Sequence, residues 1–229
     1  KKEILKQLSL KIKEGEILIR VAGPARKILE RERTCLNILQ RMSGIATLTD
    51  NTKKLIKNNC FISGTRKTLF PLIDKKAISV GGGLTHRLNL NGSALIKDNH
   101  LKLLNGNIET ALKLANKKAK YIEIEVKNEK EALEATSIIK KIKSRKLFAI
   151  MFDNMKASMI KTTIIKINNI LKNKKNERII LFEASGNINE KNILEYSKTG
   201  VDVISLGFLT HSVKAFDMSL DIIVKGTIS

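Results

Sequence analysis

The chain has 229 residues, 42% of them hydrophobic, enough to form the core of one large domain, or of a large and a small one. No apolar run is long enough to cross a bilayer, and residues 1–13 lack the continuous apolar stretch of a signal peptide. The net charge of +21 comes from scattered lysines, with two tyrosines and no tryptophan to stack on bases, which argues against nucleic-acid binding as the main function. We expect instead a positive field that favours small anionic substrates.

Cysteine usage points to a reducing compartment. Cys35 and Cys60 lie in apolar surroundings and show no metal-ligand spacing, so reduced thiols in a cytoplasmic protein are the expectation. The chain also begins without Met, which suggests that it is part of a longer protein.

The first predicted elements form a small unit ahead of the main α/β region. Residues 12–21 are typical of a hairpin or of edge strands, and Gly23-Pro24 marks a break. Residues 29–48 then predict one long helix, from the apolar spacing of Leu29, Leu36, Ile38, Leu39, Ile45 and Leu48. We expect residues 1–34 to be the remnant of an N-terminal domain and residues 35–229 to form the main domain, with residues 215–229 packing back on the first.

Seven short, β-rich apolar runs follow, separated by helix-like segments. The runs begin at Cys60, Ala77, Ala94, Tyr121, Leu147, Ile179 and Val201. The helical candidates include residues 108–119, 129–143, 155–172 and 190–198. This alternation predicts βαβ units and a parallel sheet. Six or seven units in this length favour a closed or nearly closed α/β barrel over an open doubly wound sheet.

Polar or glycine residues follow every predicted strand. In chain order they are Gly64-Thr65-Arg66-Lys67, Gly81-Gly82-Gly83 with His86-Arg87, Lys97-Asp98-Asn99-His100, Glu125, Asp153-Asn154, Ser185-Gly186-Asn187 and Gly207. In parallel α/β barrels the carboxyl ends of the strands build the active site. Seven consecutive strand ends of this kind therefore predict a site rather than solvated turns.

Four of these residues are cationic: Arg66, Lys67, Arg87 and Lys97. Such side chains suit carboxylates and phosphates, although each one alone is more often part of a surface ion pair.

The carboxylates leave two alternatives open. Glu123 and Glu125 share one face of their strand, and an inward face would require a cation or sugar hydroxyls to satisfy them. The alternative is that both carboxylates lie on the solvent-exposed face of an edge strand and have no role in a site. Asp153, which ends an apolar run, raises the same question.

Two glycine sites complete the set. Ser185-Gly186-Asn187 lies between a strand and a helix predicted to begin near Glu190, where free N–H groups could meet a phosphate. Gly207 ends the next strand and lets the backbone approach a ligand closely. Barrels often bind phosphate in the loops after their last two strands.

In order and spacing, these stretches resemble quinolinate phosphoribosyltransferase over nearly the whole chain. The matching segments are Gly23-Pro-Ala-Arg, Glu32-Arg-Thr, Leu39-Gln-Arg-Met-Ser-Gly-Ile-Ala-Thr, Thr65-Arg-Lys-Thr, Gly81-Gly-Gly-Leu-Thr-His-Arg-Leu, Leu95-Ile-Lys-Asp-Asn-His, Ile122-Glu-Ile-Glu-Val, Phe152-Asp-Asn-Met, Glu183-Ala-Ser-Gly-Asn-Ile and Val203-Ile-Ser-Leu-Gly-Phe-Leu-Thr. The resemblance implies an open-faced parallel α/β barrel of six to seven strands with a truncated N-terminal α/β sandwich. It also implies a homodimer, or a higher oligomer built from dimers, with shared active sites.

The activity implied by the resemblance is transfer of phosphoribose from phosphoribosyl pyrophosphate to quinolinate with decarboxylation, giving nicotinate mononucleotide in de novo NAD biosynthesis. Mg²⁺ would enter with phosphoribosyl pyrophosphate. The catalytic residues would be Lys97, Glu125 and Asp153, of which Glu125 and Asp153 would also hold ribose hydroxyls and Mg²⁺, mostly through substrate or water.

The resemblance assigns the remaining residues to substrate binding. Arg66, His86, Arg87 and Lys97 resemble the pocket for the quinolinate carboxylates, Arg33 the arginine given to the neighbouring subunit, and Lys67 the approach to phosphoribosyl pyrophosphate. Thr65 is also assigned to substrate binding. Ser185, Gly186, Asn187 and Gly207 match the 5′-phosphate cradle, with Phe208 and Leu209 beside it.

The chain departs from the family pattern at several places. The family has a longer segment before the Arg33 position, and Leu69-Phe70-Pro71-Leu72 replaces its usual Pro-Gly turn. Phe152 and Phe208 replace smaller residues, and the loops at 140–146 and 172–176 are longer and rich in lysine.

Three alternatives remain: a relative found with molybdenum-transport genes, a basic nucleic-acid-binding protein, and an inactive subunit partner. The first tends to lack the segment that is present here as Lys97-Asp98-Asn99-His100.

Overall fold

The computed structural model describes residues 12–57, 59–85, 93–171 and 180–223. Six strands form one parallel sheet: β1 (Phe61–Gly64), β2 (Ser93–Ile96), β3 (Tyr121–Val126), β4 (Leu147–Asp153), β5 (Ile180–Ser185) and β6 (Val203–Leu206). Their order in the sheet is β1-β6-β5-β4-β3-β2. Consecutive strands are neighbours from β2 to β6, and β6 returns beside β1, which is the cyclic order of an α/β barrel. Among the described residues, β1 and β2 do not pair, so the barrel is open along that side, as predicted.

The same ranges contain eight helices, most of which connect successive strands. They are α1 (Ala25–Leu55), α2 (Pro71–Val80), α3 (Asp98–Leu103), α4 (Ile108–Lys118), α5 (Glu129–Lys141), α6 (Ala157–Leu171), α7 (Ile193–Ser197) and α8 (Phe208–His211). Asn107 and Asn128 cap α4 and α5 by accepting hydrogen bonds from the amides of Thr110 and Glu131. These caps explain why both helices begin where the sequence predicted. No described helix is both long enough and apolar enough to span a membrane.

Strand alternation separates two faces of the sheet. Every second residue packs into the apolar core that the strands share with the surrounding helices, as do Ile122, Ile124, Val126, Phe148, Ile150, Phe152, Phe182 and Ile204. All of these side chains are at most 1% exposed. Each contributes about 1.5–3 kcal/mol through burial, so this face carries most of the stability of the fold. The other face contains the polar residues of the site.

Helix α1 is longer than predicted, and only its second part is packed. Leu36 is its first buried residue, followed by Gly44, Ile45, Thr49 and Thr52. The predicted domain boundary at residue 34 falls inside this continuous helix and stays a prediction.

The C-terminal segment crosses α1 at Gly44. A side chain at Gly44 would overlap the Lys214 carbonyl, so the close approach requires glycine. The Phe216 amide donates to the Gln40 carbonyl at 3.1 Å, and the Gln40 side chain donates to the Met218 carbonyl at 2.8 Å. These contacts attach the end of the described chain to the helix that precedes the barrel.

The strand predicted at residues 77–80 is wrong, because these residues end α2. Pro71 begins this helix, a position where its missing N–H is not needed. Asp74, Lys75, Ala77 and Ile78 are buried with helical spacing. The glycines at 81–83 therefore follow a helix. Leu84 then forms an isolated bridge with Ser63, on the side of β1 away from β6.

The hairpin predicted at residues 12–21 is also absent from the described residues, which contain only a turn there. The Glu16 amide donates to the Lys13 carbonyl at 3.2 Å, and Gly15 has a φ of +79°. Beyond this turn Ile17, Ile19 and Val21 are 61–64% exposed, since no described strand lies beside them to form a ladder.

Candidate active site

Six inward residues lie at the carboxyl ends of the six strands: Thr65, Lys97, Glu125, Asp153, Ser185 and Gly207. Because all strand pairs are parallel, these residues share one end of the sheet. Asp153 is directly opposite Ser185 in the β4–β5 register. Ser185 is opposite Ser205, two residues before Gly207. The structure therefore collects at one end the residues that the sequence assigned to the ends of these six strands, whereas Gly81, Gly82 and Gly83 follow a helix.

A cation and a carboxylate meet beside the open side of the barrel. Lys97 forms an ion pair with Glu125, whose side chain is only 14% exposed. The Lys97 amide donates to Nδ1 of His100 at 2.9 Å, which fixes the start of α3. The charge-assisted hydrogen bond between Lys97 and Glu125 holds both of these side chains in a defined orientation.

The turn after β4 packs directly against the turn after β5. The Asn154 amide donates to the Ser185 carbonyl at 2.9 Å, and the Asn154 side chain donates to the Asp153 carboxylate at 3.0 Å. Asn187 donates to the Asn154 side-chain oxygen at 2.8 Å. Gly186 has a φ of +90°, and a side chain there would overlap Asn154. The turn thus requires glycine for its backbone conformation and for space.

The helix predicted to begin near Glu190 starts later, at Ile193, and has five residues. Asparagine side chains explain the delay, because they bond to the backbone of the turn and compete with helix formation. Asn192 accepts from the Asn189 amide at 2.8 Å and donates to the Asn187 carbonyl at 3.1 Å. Helix α7 therefore does not begin directly after the turn at residues 185–187.

Gly207 begins the short helix α8 at the next strand end. Its carbonyl accepts from the Thr210 amide at 3.0 Å and the His211 amide at 3.1 Å. A Cβ atom at Gly207 would lie 2.7 Å from Nε2 of His211. Phe208 is half-buried, whereas Leu209 is fully buried in the apolar core.

The loop after β1 lies next to this glycine loop, because β1 pairs with β6. The hydroxyls of Thr65 and Thr210 are 3.4 Å apart, and the Lys67 amide donates to the Thr65 hydroxyl at 3.3 Å. Arg66 and Lys67 are both exposed. The loop next to the glycine loop thus carries two exposed cationic residues.

Below the strand ends, the interior face of the sheet contains two buried carboxylates, Glu123 and Glu183. Glu123 is fully buried on an inner strand, so the exposed edge strand considered for it is excluded. Burial raises the pKa of Tyr121, and the charges of Glu123, Glu183 and Asp202 raise it further. Sequence reasoning missed Glu183 as an interior residue, although its spacing from Ser185 repeats that of Glu123 and Glu125.

Lys75 of α2 is a buried charged residue that the sequence did not single out. It is 1% exposed, and its Nζ donates to the Gly64 carbonyl at 2.6 Å. This bond holds the last residue of β1, immediately before Thr65.

His86 and Arg87 lie outside the described residues. Arg33 lies in the exposed part of α1, with its side chain 72% exposed and 3.8 Å from Glu32. The described residues contain no group of three His, Cys, Asp or Glu side chains that could hold a metal ion.

Comparison with known proteins gives one consistent family. Residues 45–221 match the family model described as quinolinate phosphoribosyl transferase, C-terminal domain, and residues 7–43 match that of its N-terminal domain. The chain is 43% identical to a probable nicotinate-nucleotide pyrophosphorylase [carboxylating] of Methanocaldococcus jannaschii, over 90% of this chain and 72% of that protein. It is 37% identical to the protein of the same name from Methanothermobacter thermautotrophicus, over 91% and 73% of the two chains.

The solved structures agree with the sequence relatives. The structure of NadC from Streptococcus pyogenes matches with a TM-score of 0.72 and 32% identity, covering 85% of this chain and 65% of that one. The chain therefore spans about two thirds of the length of that protein. The fold, the strand-end residues and these matches together show that the chain belongs to the quinolinate phosphoribosyltransferase family.

Proposed function

We propose that the chain transfers phosphoribose from phosphoribosyl pyrophosphate to quinolinate and then releases CO₂, giving nicotinate mononucleotide and pyrophosphate for NAD biosynthesis. The observation that carries the proposal is the ring of strand-end residues, where the Lys97–Glu125 pair shares one end of the barrel with two glycine turns. Cations suit the dicarboxylate, and glycine turns suit a phosphate. The names of the relatives support the same chemistry.

In the first step the pyridine nitrogen forms a bond to the anomeric carbon while the bond to pyrophosphate breaks. Positive charge develops on the sugar, and we assign its stabilisation to Glu125 and Asp153. Lys67 would face the leaving pyrophosphate. In the second step the carbon–carbon bond to the 2-carboxylate breaks, its electron pair stays on the ring beside the quaternised nitrogen, and a proton then replaces CO₂. Arg66 and Lys97, with His86 and Arg87 by resemblance, would orient the carboxylates.

Mg²⁺ is part of this proposal. Glu125 and Asp153 offer the carboxylate oxygens that Mg²⁺ prefers, but two carboxylates are too few to complete the octahedral coordination of Mg²⁺. They fit an ion that is held mostly by substrate phosphates and water, and that would neutralise charge on the departing pyrophosphate.

A shared site between two copies of the chain is the proposed assembly. Arg33 is exposed on a part of α1 that buries no residue before Leu36, and Leu29 nearby is 51% exposed. A second copy that covers this region would bring Arg33 to its partner's strand ends. We also propose the cytoplasm as the compartment, since Cys35 and Cys60 are both free thiols.

The function is tested by incubating the protein with quinolinate, phosphoribosyl pyrophosphate and Mg²⁺. We expect nicotinate mononucleotide and CO₂ in equal amounts, and no product when Mg²⁺ is chelated. Folded protein that releases neither product would refute the activity. Release of one product without the other would refute the coupled reaction.

The assembly is tested by mixing Arg33→Ala protein with Asp153→Ala protein, each of which should be nearly inactive. A mixed dimer has one site with both residues intact, so part of the activity should return. If mixed dimers form but stay inactive, the sites are not shared.

A further inference from the structure

An ion pair between two helices lies behind the candidate site. Arg41 of α1 donates to both oxygens of the Asp74 carboxylate on α2, at 2.8 and 2.7 Å. Asp74 is fully buried and the Arg41 side chain is 29% exposed. The hydrogen bond to Asp74 and its charge raise the pKa of Arg41, against the opposing effect of burial. The pair is bidentate, so its geometry is specific.

Each partner of this pair also holds one loop of the site. Asp74 accepts a hydrogen bond from the Thr68 hydroxyl, which follows Arg66 and Lys67 in the loop after β1. Arg41 donates from Nη2 to the Thr210 carbonyl at 3.0 Å, in the loop that begins at Gly207. A continuous set of bonds therefore connects the loop after β1 with the loop after β6.

The two loops also meet directly in front of the pair. The Thr210 hydroxyl lies 3.4 Å from the Thr65 hydroxyl and 3.0 Å from the Gly207 carbonyl, to which it donates. The Arg41 guanidinium lies over the Phe70 ring, 5.8 Å from its centroid. A shift of either loop would break contacts in the other.

We propose that Arg41 and Asp74 are positioning residues that fix the loop after β1 relative to the loop after β6. This inference rests on the proposed function, in which the first loop faces quinolinate and pyrophosphate and the second holds the 5′-phosphate. Transfer requires the pyridine nitrogen and the anomeric carbon to be held about 3–3.5 Å apart. Bracing the two loops against each other sets that separation before the substrates arrive.

Stability alone gives little reason for this arrangement. An apolar pair of similar size is often as stabilising as a buried ion pair, which must be stripped of water. On the same helix, the exposed pairs Arg26–Glu30 and Asp50–Lys54 each join side chains one turn apart. A pair can hold two loops only if its side chains make hydrogen bonds besides those within the pair. Arg41 makes such a bond to Thr210, and Asp74 accepts one from Thr68.

The test compares three variants at a temperature well below the unfolding midpoint of each. Arg41→Met with Asp74→Asn removes both charges and leaves no buried charge unpaired. Arg41→Lys is the conservative change, which keeps the charge beside Asp74 but loses the planar fork. Lys54→Met is the matched control, since it removes an exposed ion pair from the same helix.

We expect kcat/KM of the double variant to fall about 100-fold, as misplacement of reacting groups by about 1 Å does in enzymes. Arg41→Lys should recover part of the loss, and Lys54→Met should match the unaltered protein. Kinetic constants of the double variant within twofold of those of the unaltered protein would overturn the proposal.

Hydrogen exchange gives a second measurement that does not depend on turnover. The amides of Thr68, Thr210 and His211 are bonded within the two loops, so the double variant should lose protection at all three. Faster exchange in one loop alone, or equally in every helix, would overturn the brace. If the unaltered protein makes no product, the proposed function fails, and the exchange result still decides whether the pair couples the two loops.

Discussion

Along β4, residues that face the helices alternate with residues that face the barrel interior, and the two sets differ at the carboxyl end of the strand. Phe148, Ile150 and Phe152 are at most 1% exposed among apolar helix residues. The interior set ends in Asp153, which lies beside Ser185 at the carboxyl end. β3 repeats the pattern, with Ile122, Ile124 and Val126 on one face and Glu123 and Glu125 on the other. One face of the strands thus supplies stability, while the end of the other face contains the residues to which we assign the chemistry.

The largest expected effect is a loss of stability when the helix-facing side of β4 is changed. Phe148→Ala should lower the free energy of unfolding by about 3–5 kcal/mol, because it removes a fully buried ring and leaves a cavity. Urea denaturation measures the loss. A change below about 1 kcal/mol would show that this face does not carry the core.

The interior end of the same strand should respond in the opposite way. Asp153→Asn should reduce kcat/KM by about 100-fold, since it removes a charge that faces the sugar. Its free energy of unfolding should stay within about 1 kcal/mol of the original. Glu109→Gln, an exposed carboxylate change on α4, is the control and should keep full activity. Equal activity in both variants would remove Asp153 from the chemistry.

The Gly207→Val variant tests whether the loop at Gly207 binds phosphate or only forms a turn. The φ of Gly207 is −70°, a value open to other residues, so the change tests space rather than backbone strain. The affinities for phosphoribosyl pyrophosphate and inorganic phosphate should fall together by about tenfold, or 1.4 kcal/mol, with quinolinate affinity nearly unchanged. Calorimetric titration measures all three. Loss of quinolinate binding as well would indicate a collapsed barrel end.

The smallest effect concerns the opposite end of β1, where Cys60 lies. Burial, followed by the charge of Asp202, raises the pKa of the Cys60 thiol to about 11. At pH 8 the thiolate fraction of Cys60 is therefore roughly 100 times smaller than that of a thiol with the ordinary pKa. The thiolate becomes abundant only as the pH rises towards 11. Alkylation followed by mass spectrometry should modify the exposed Cys35 first. Half-maximal reaction of Cys60 at or below pH 9 would contradict this environment.

The sequence predicted the parts of the fold that depend on local pattern. Strands such as Tyr121–Val126 combine an apolar alternation with polar ends, and residues 129–143 were identified as a helix between two such strands, which the structure shows as α5. Residues 77–80 were misread because a run of four residues cannot distinguish a strand from the end of a buried helix. Only the tertiary structure shows Ile78 packed against Gly64.

Site residues followed the same division. Those at strand ends could be predicted because a parallel sheet brings such positions together whatever their separation in the chain. Arg41 and Asp74 were not, since residues 33 positions apart on two helices carry no local signal of their pairing. The delayed start of α7 depends on the side chains of Asn189 and Asn192, which bond to the backbone of the turn, and composition alone does not reveal these bonds.

The most direct test of the account is a crystal structure of the protein with phosphoribosyl pyrophosphate and Mg²⁺. We expect the 5′-phosphate between the turn at residues 185–187 and Gly207, with the ribose facing Glu125 and Asp153. A phosphate bound at the amino ends of the strands, or only to exposed lysines outside the barrel, would contradict the assignment of chemistry to the interior carboxyl end.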